Sequence, residues 1–307
     1  MLLLIKYTLL YGIVLMLVAL GGMFSEHSGV INIALEGIMV VGGLAGVLVT
    51  ASLPTTMAPA PIVLAAVVAA AVCGMLYSLL LAFASINLKA DQTIGGTALN
   101  MLATAIAMIL AKNFNGSTSA KISYTNKPFL FSIGGLELSI FIPLGIVLLV
   151  VSYIVMYKTR FGLRLRACGE HPQAADSVGI NVYRMRYAGV LISGFLGGIG
   201  GLAYTVAAGS GFNSDVGGYG FLALAVMIFG NWKPFPILAS SVFFALFKVI
   251  AAYSSSLSFL PKFDGVKEIS NFYQMLPYIV TMIVLIFTSK NSQAPKAEGI
   301  PYDKGSR

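Results

Sequence analysis

Charge is scarce in this sequence. Asp, Glu, Lys and Arg supply 10% of its 307 residues, where soluble domains carry about 25%. Cysteine and histidine are scarcer still, with two of each. Cys73 lies in an apolar run and Cys168 in a basic loop, so no disulfide is expected. These cysteines, His27 and His171 are too scattered to form a metal-ligand spacing. The dipeptide Gly-Lys never occurs. That removes the P-loop and argues against ATP hydrolysis by this chain itself. H-E-x-x-H and G-x-S-x-G are absent, and nothing pairs a nucleophile with a base. The expectation is a chain that is not an enzyme and that holds no metal and no cofactor.

What is abundant is apolar. Hydrophobic residues make up 58% of the chain, and the mean hydropathy is +0.89. Candidate spans fall at 8–24, 37–53, 62–86, 94–111, 139–157, 187–208, 216–232, 237–253 and 273–288. All are longer than the roughly 9–11 residues of a membrane barrel strand. Backbone in hydrocarbon must satisfy its own hydrogen bonds, so these runs predict helices. The fold class is all-α: a single polytopic membrane domain over 1–307 with about eight or nine transmembrane helices. Two stretches are candidate broken or re-entrant segments. Residues 25–36 are semi-polar, and within 216–232 the apolar run 218–230 is short of a full crossing and opens on Gly217, Gly218 and Gly220. The first stretch, MLLLIKYTLLYGIVLMLVALGGMF, lacks an A-x-A cleavage site and reads as a retained helix. Tyr7, Tyr153, Tyr157, Tyr187, Trp232 and Tyr278 flank spans as interfacial aromatics do. GGLAG at 42–46 and GFLGGIGG at 194–201 carry the small-residue spacing that lets helices approach closely.

Basic residues give the orientation. The net charge is +8, and six of the nineteen Lys and Arg lie in 158–186, with four more in the tail 289–307. Loop 113–138 has only Lys121 and Lys127, and in loop 255–272 Lys262 and Lys267 are offset by Asp264 and Glu268. The positive-inside rule therefore places 158–186 and the tail in the cytoplasm of a multi-pass cell-membrane protein. The same rule accounts for the charge without nucleic acid. Nine spans put the N-terminus outside; a re-entrant 25–36 removes one span and moves it inside.

Within the basic loop, HPQAADSVGI predicts a short helix over 172–178. Pro172 suits its first position and Gly179 the residue past its end. Two turns are too few to stand alone in water, so the helix needs the membrane domain or a partner. Ala174 and Ala175 offer a small, smooth surface to a partner groove. Arg160, Arg164 and Arg166 meet lipid phosphates or acidic side chains. An ordinary topology-setting loop explains the arginines equally well.

Polar residues inside spans are costly, about 2.5–3.5 kcal/mol for a charge at the bilayer centre. Asn32 and Glu36 read either as a broken helix lining a pathway or as an interfacial turn capped by Ser25 and Ser28. Glu26 reads as structural, and His27 as a satisfied interfacial residue. Thr93, Thr97 and Asn100, beside Asp91 and Gln92, share one helical face that either lines a path for a polar solute or bonds a neighbouring helix. Asn213, Ser214 and Asp215 fall in an outer loop, and Asn231 and Trp232 at the cytoplasmic interface.

TRFGLRLRACGEHPQAADSVGI at 159–180 resembles the cytoplasmic coupling segment of ABC importer permeases of the branched-chain amino acid, ribose and nucleoside group. FSEHSGVINIALEG at 24–37, GFLALAVMIFGNWKP at 220–234 and GIPYDKGSR at 299–307 resemble the shorter permease of nucleoside uptake systems. The likeness covers nearly the whole chain; His171 departs from it, where the family usually has Asn. It implies a permease forming the translocation path for nucleosides, with ribose-like sugars or branched-chain amino acids as the alternative and an ion-coupled carrier a poorer one. It implies a second permease subunit, two ATP-binding subunits and an extracytoplasmic substrate-binding protein. It also implies that Arg166, Gly169, Glu170, Pro172, Ala174, Ala175 and Gly179 receive the mechanical input of the ATPases. Asn32, Glu36, Thr93, Thr97 and Asn100 are the substrate-path candidates.

Overall fold

A computed structural model describes residues 2–54, 56–116, 119–133, 136–209, 211–252 and 293–304, with isolated positions between 275 and 286. The expected span 273–288 lies almost entirely outside the described residues, as does loop 255–272. Ten α-helices are described: α1 (Leu2–Glu26), α2 (Leu35–Ser52), α3 (Pro59–Ala82), α4 (Gln92–Asn115), α5 (Phe141–Lys158), α6 (Arg160–Glu170), α7 (Pro172–Ser177), α8 (Val182–Ala208), α9 (Tyr219–Phe229) and α10 (Pro234–Ala252). A π-helical turn, Phe83–Asn87, extends α3. A small antiparallel hairpin pairs β1 (Leu130–Ile133) with β2 (Leu136–Ser139) between α4 and α5. Seven of the described helices are long and apolar enough to cross a membrane.

α8 is the centre of the bundle, packed on α1, α2 and α3. It runs antiparallel to α1 and α3 and parallel to α2, as the order of close residues along each pair requires. Its GFLGGIGG stretch meets Gly42 and Gly43 of α2 and Ala70 and Gly74 of α3, and Leu202 just beyond it packs on Gly46. At Gly201 a methyl group would collide with the main-chain carbonyl of Met39. Lipid supplies no hydrophobic drive to bring helices together, so backbone-to-backbone van der Waals contact takes that role. The glycines legible in the sequence are the ones the fold uses.

Both doubtful segments are breaks. α1 ends at Glu26, residues 27–34 run as turns and irregular chain, and α2 starts at Leu35. The break is buried within the protein: Ser28, Val30, Asn32 and Ala34 are all inaccessible. α1 ends beside α6, and α2, which runs parallel to α8 and so antiparallel to α1, leaves toward the opposite end, so the chain reverses direction at this break between two helices that are each long enough to cross. The candidate span 216–232 contains only the eleven residues of α9, about 16 Å of helix, roughly half the hydrocarbon thickness.

Two helices begin differently from expectation. α8 starts at Val182 instead of 187, taking Arg184 and Arg186 out of the basic loop and onto the helix. Asn181 causes this: its side-chain oxygen caps the helix by accepting from Arg184 N at 3.0 Å. α6 was not expected as a helix. Thr159 caps it through Gly162 N at 3.2 Å, and its inner stripe is Gly162, Leu165, Cys168 and Gly169.

The packing of α8 predicts that Gly201→Ala destabilises the protein by about 1–3 kcal/mol, the usual effect of overpacking. Ala at Gly95, where nothing lies within 4 Å of the added methyl, should be neutral or slightly stabilising. Thermal unfolding in detergent compares the two.

Candidate coupling surface and membrane-embedded polar centre

At one end of the bundle α6 and α7 lie against the domain rather than projecting from it. Gly169 sits on the His27 carbonyl so closely that a Cβ there would collide with it. Cys168, Ala175 and Val182 form a small buried cluster with Tyr302. Burial raises the Cys168 thiol pKa to about 11, so it stays a protonated, unreactive packing group. α7 has Pro172 at its first position and ends at Ser177, with Gly179 in the left-handed region at φ +83°. The expected short helix is present, but Ala174 and Ala175 do not form one surface. Ala174 points outward, while Ala175 is buried against Cys168 and Tyr302. A helix this short gains its stability by burying one side. Pro172 is buried as well, whereas Glu170 and Gly179 are exposed and Arg166 is half-buried.

The tail holds this arrangement. Ala297 N donates to Gly169 O at 2.8 Å. Arg186, 1% exposed, donates from Nη1 to Ile300 O at 3.0 Å. Tyr302 meets the Tyr183 ring edge-on at 5.4 Å, and Asp303 pairs with Lys89 at 2.9 Å on the surface. Burial near Glu26 raises the pKa of the Glu298 carboxyl to about 7. No feature of the sequence announces these tail contacts.

Beside them the turn 230–233 joins α9 to α10. Asn231 and Trp232 both take positive φ, 52° each, an uncommon backbone state for a bulky residue. Trp232 is 4% exposed. Its Nε1 donates to Glu26 Oε2 at 2.5 Å, and its carbonyl lies 3.0 Å from His27 Nε2. Glu26 and His27 therefore hold the strained turn. Burial lowers the His27 pKa to about 4, so near neutral pH the ring is uncharged and donates through Nε2–H. The structural reading of Glu26 and the satisfied-interface reading of His27 both match this geometry.

A second polar group lies halfway along the bundle. The Glu36 carboxylate accepts from Gly218 N at 2.8 Å and Gly220 N at 2.6 Å. It caps the start of the half-helix α9 from the start of α2, joining the two chain breaks. Asn32 Nδ2 donates to Ser193 Oγ at 2.8 Å, while its Oδ1 is buried without a partner among the described residues. Asn100 accepts from Gly37 N at 2.7 Å and donates to Ile33 O at 2.9 Å. Gln92 accepts from Ile31 N at 2.7 Å. Asn100 and Gln92 are thus committed to the broken backbone of 27–34. Thr93 and Thr97 are separated from them: both are exposed, and Thr97 Oγ1 bonds back to Thr93 O at 2.7 Å. On the other side of Glu36 lies a group that sequence reading missed. Tyr219 packs against Tyr204 and Tyr11 at centroid distances of 4.7 and 5.4 Å. Tyr204 lines a cavity of about 80 Å³ with Asn213 and Asp215. Nothing in sequence spacing joins residues 11, 204 and 219.

Two outcomes follow from these contacts. Glu36→Ala strips the cap from α9 and should cost about 1.5–3 kcal/mol in detergent unfolding, the value of hydrogen bonds to a charged group; Glu36→Gln, which keeps an acceptor, should cost less. Docking of the tail should depend on pH. Because the folded state raises the Glu298 pKa, the stabilisation is complete below the ordinary carboxyl value and is lost as pH rises through about 7. Hydrogen exchange at residues 295–302 should accelerate over that window, and Glu298→Gln should flatten the dependence.

Comparison with known proteins matches the sequence to a family. Residues 4–288 match the family model described as branched-chain amino acid transport system / permease component. The nucleoside ABC transporter permease protein NupC of Lactococcus lactis subsp. cremoris is 41% identical over 311 residues, 96% of this chain and 95% of the relative. The guanosine ABC transporter permease protein NupQ of Bacillus subtilis is 41% identical over 313 residues, 98% and 96% of the two chains. NupB of the same Lactococcus strain, also named a nucleoside ABC transporter permease protein, is 31% identical over 114 residues, 36% and 30% of the two. A match over nearly the full length, joined to a bundle of long apolar helices, establishes that the chain belongs to the permease-component family of the branched-chain amino acid transport system.

Proposed function

We propose that the chain is the permease subunit of an ATP-driven importer of nucleosides. The two relatives at 41% identity are named for nucleosides and for guanosine, which favours that substrate over sugars and branched-chain amino acids. The chain works with a second, non-identical permease, two ATP-binding subunits and an extracytoplasmic binding protein. The partial likeness to NupB, named as a permease in the same bacterium as NupC, supports a mixed pair. The positive-inside rule puts the α6–α7 end and the tail in the cytoplasm.

One observation carries the coupling role. α6 and α7 are pinned by their inner faces, yet they leave Val178 at 74% and Leu163 at 62% exposure on a basic loop. The inner residues Gly169, Pro172 and Ala175 transmit force to the bundle through the His27 carbonyl and the Tyr302 cluster. The outer residues Glu170, Ala174, Val178 and Gly179 meet the ATPase groove, with Arg166 at the margin.

For the solute, Asn32 and Glu36 mark the narrow point. The aromatic group Tyr11, Tyr204 and Tyr219 gives the approach from outside a flat apolar wall suited to a nucleobase. Thr93, Thr97 and Asn100 belong to the α4 side of the bundle, and Asn100 acts by holding the break at 33–37.

Uptake of labelled nucleosides into vesicles containing all subunits tests the function. Uptake should require ATP and the binding protein, and ATP-independent accumulation would refute it. Ala174→Arg should leave folding intact and reduce ATPase copurification at least tenfold. Ala175→Arg should instead disrupt the buried cluster and the loop itself, visible as faster proteolysis of 160–180.

A further inference from the structure

We propose that the cavity at the α6–α7 end is a binding site for a phosphate-bearing anion. It has a volume of about 520 Å³, within the range of small-ligand sites. Three cations reach it from three separate segments: Arg166 from α6, Lys233 from the α9–α10 turn and Lys296 from the tail. Membrane topology calls for basic residues in such loops but does not require them to converge on one concavity. Glu170 is the one carboxylate among the lining residues, and His27, also in the wall, is uncharged near neutral pH. The lining therefore carries excess positive charge in a partly enclosed space, where an anion is held more strongly than on an open surface.

Arg166 supplies the most specific feature. Its guanidinium lies 4.8 Å from the centroid of the Tyr157 ring, which fixes its plane. Its Nε is buried and has no hydrogen-bond partner among the described residues. A buried N–H left unmade is costly, and an anion oxygen in the cavity would satisfy it. Three converging cations suit phosphate better than carboxylate. Phosphate offers more oxygens and up to two charges to share among several donors, whereas a carboxylate is satisfied by a single arginine fork. Soluble phosphate esters and phospholipid headgroups share this chemistry. On the orientation proposed above both reach the site from the cytoplasmic side, but binding itself can be measured without transport.

The chain has a single tryptophan, Trp232, and it lines this cavity, so intrinsic fluorescence reports occupancy directly. The full chain in detergent is titrated with inorganic phosphate and with pyrophosphate. It is then reconstituted into phosphatidylcholine vesicles with increasing phosphatidylglycerol. We expect a saturable change, with the midpoint raised at least about tenfold in Arg166→Gln/Lys296→Gln, the loss expected for charge-assisted hydrogen bonds. Lys233→Gln/Lys296→Gln removes two exposed charges and keeps the test decisive if the Arg166 variant misfolds. Lys127→Gln, at the opposite end, should titrate like the unaltered chain. Saturation by soluble anions in detergent identifies a free phosphate ligand. A response confined to phosphatidylglycerol vesicles identifies a lipid headgroup. No saturable response to any of these probes, or unchanged midpoints in every folded charge-removal pair, overturns the proposal. Loss of nucleoside uptake with phosphate binding intact would count against the transport reading and leave this site standing.

Discussion

A polypeptide that leaves the helical state inside a membrane must find new partners for every exposed N–H and C=O, because hydrocarbon offers none. Among the described residues this happens at 27–34 and ahead of α9, and much of the bundle is arranged around satisfying those two breaks. Glu36 receives two amide protons from the start of α9. Asn100 and Gln92 reach from α4 to residues 31–37, and Ser25 and Ser28 close the turn locally at 2.7 and 2.6 Å. Several of the polar side chains that the membrane should disfavour thereby serve as backbone partners. Asn32 differs: it bonds the Ser193 hydroxyl, and its Oδ1 is unpartnered among the described residues.

That economy bears on mechanism. A closed α-helix can only tilt or slide, whereas a break held by a few side-chain bonds has alternative arrangements close in energy. Glu36, just past the first break, holds the start of α9 at the second, so a shift of one break would bear on the other. At the α6–α7 end the contacts are close ones. Gly169 seats α6 on the turn after α1, and the tail locks over both through Ala297, Ile300 and Tyr302. In the coupling path proposed above, a push on the outer face of α7 would pass to α6, whose Gly169 sits on the His27 carbonyl, and residue 27 opens the first break. The proposed coupling path is therefore short and made of main-chain contacts.

The same end also gathers groups whose protonation is set by burial. His27 is neutral, Glu298 has a raised pKa, and Cys168 remains a thiol. None of these is placed as a nucleophile or a metal ligand, and among the described residues no cluster of His, Cys, Asp and Glu could hold a metal ion. They serve to seal an interface between the loop, the tail and the turn at Trp232, beside which Arg166, Lys233 and Lys296 enclose the basic cavity.

Much of this was legible in the amino-acid order, for physical reasons. Apolar runs of membrane length can only be helices, basic residues mark one side, and Gly or Ala at four-residue spacing marks helices that touch. Pro172 and Gly179 bracket a helix because one lacks an N–H and the other tolerates positive φ. The apolar run at 218–230 is simply too short to cross. Tertiary structure alone decided the rest, because it depends on residues far apart in the chain meeting in space. Glu36 caps a helix 182 residues away; Asn100 turned out to be a clamp and Thr97 an outward-facing residue; Ala174 and Ala175, adjacent and chemically identical, were sorted to opposite faces by the placement of Tyr302. Local pattern reports what each segment must bury or expose, but the identity of the partner is set only once the whole chain has closed around α8.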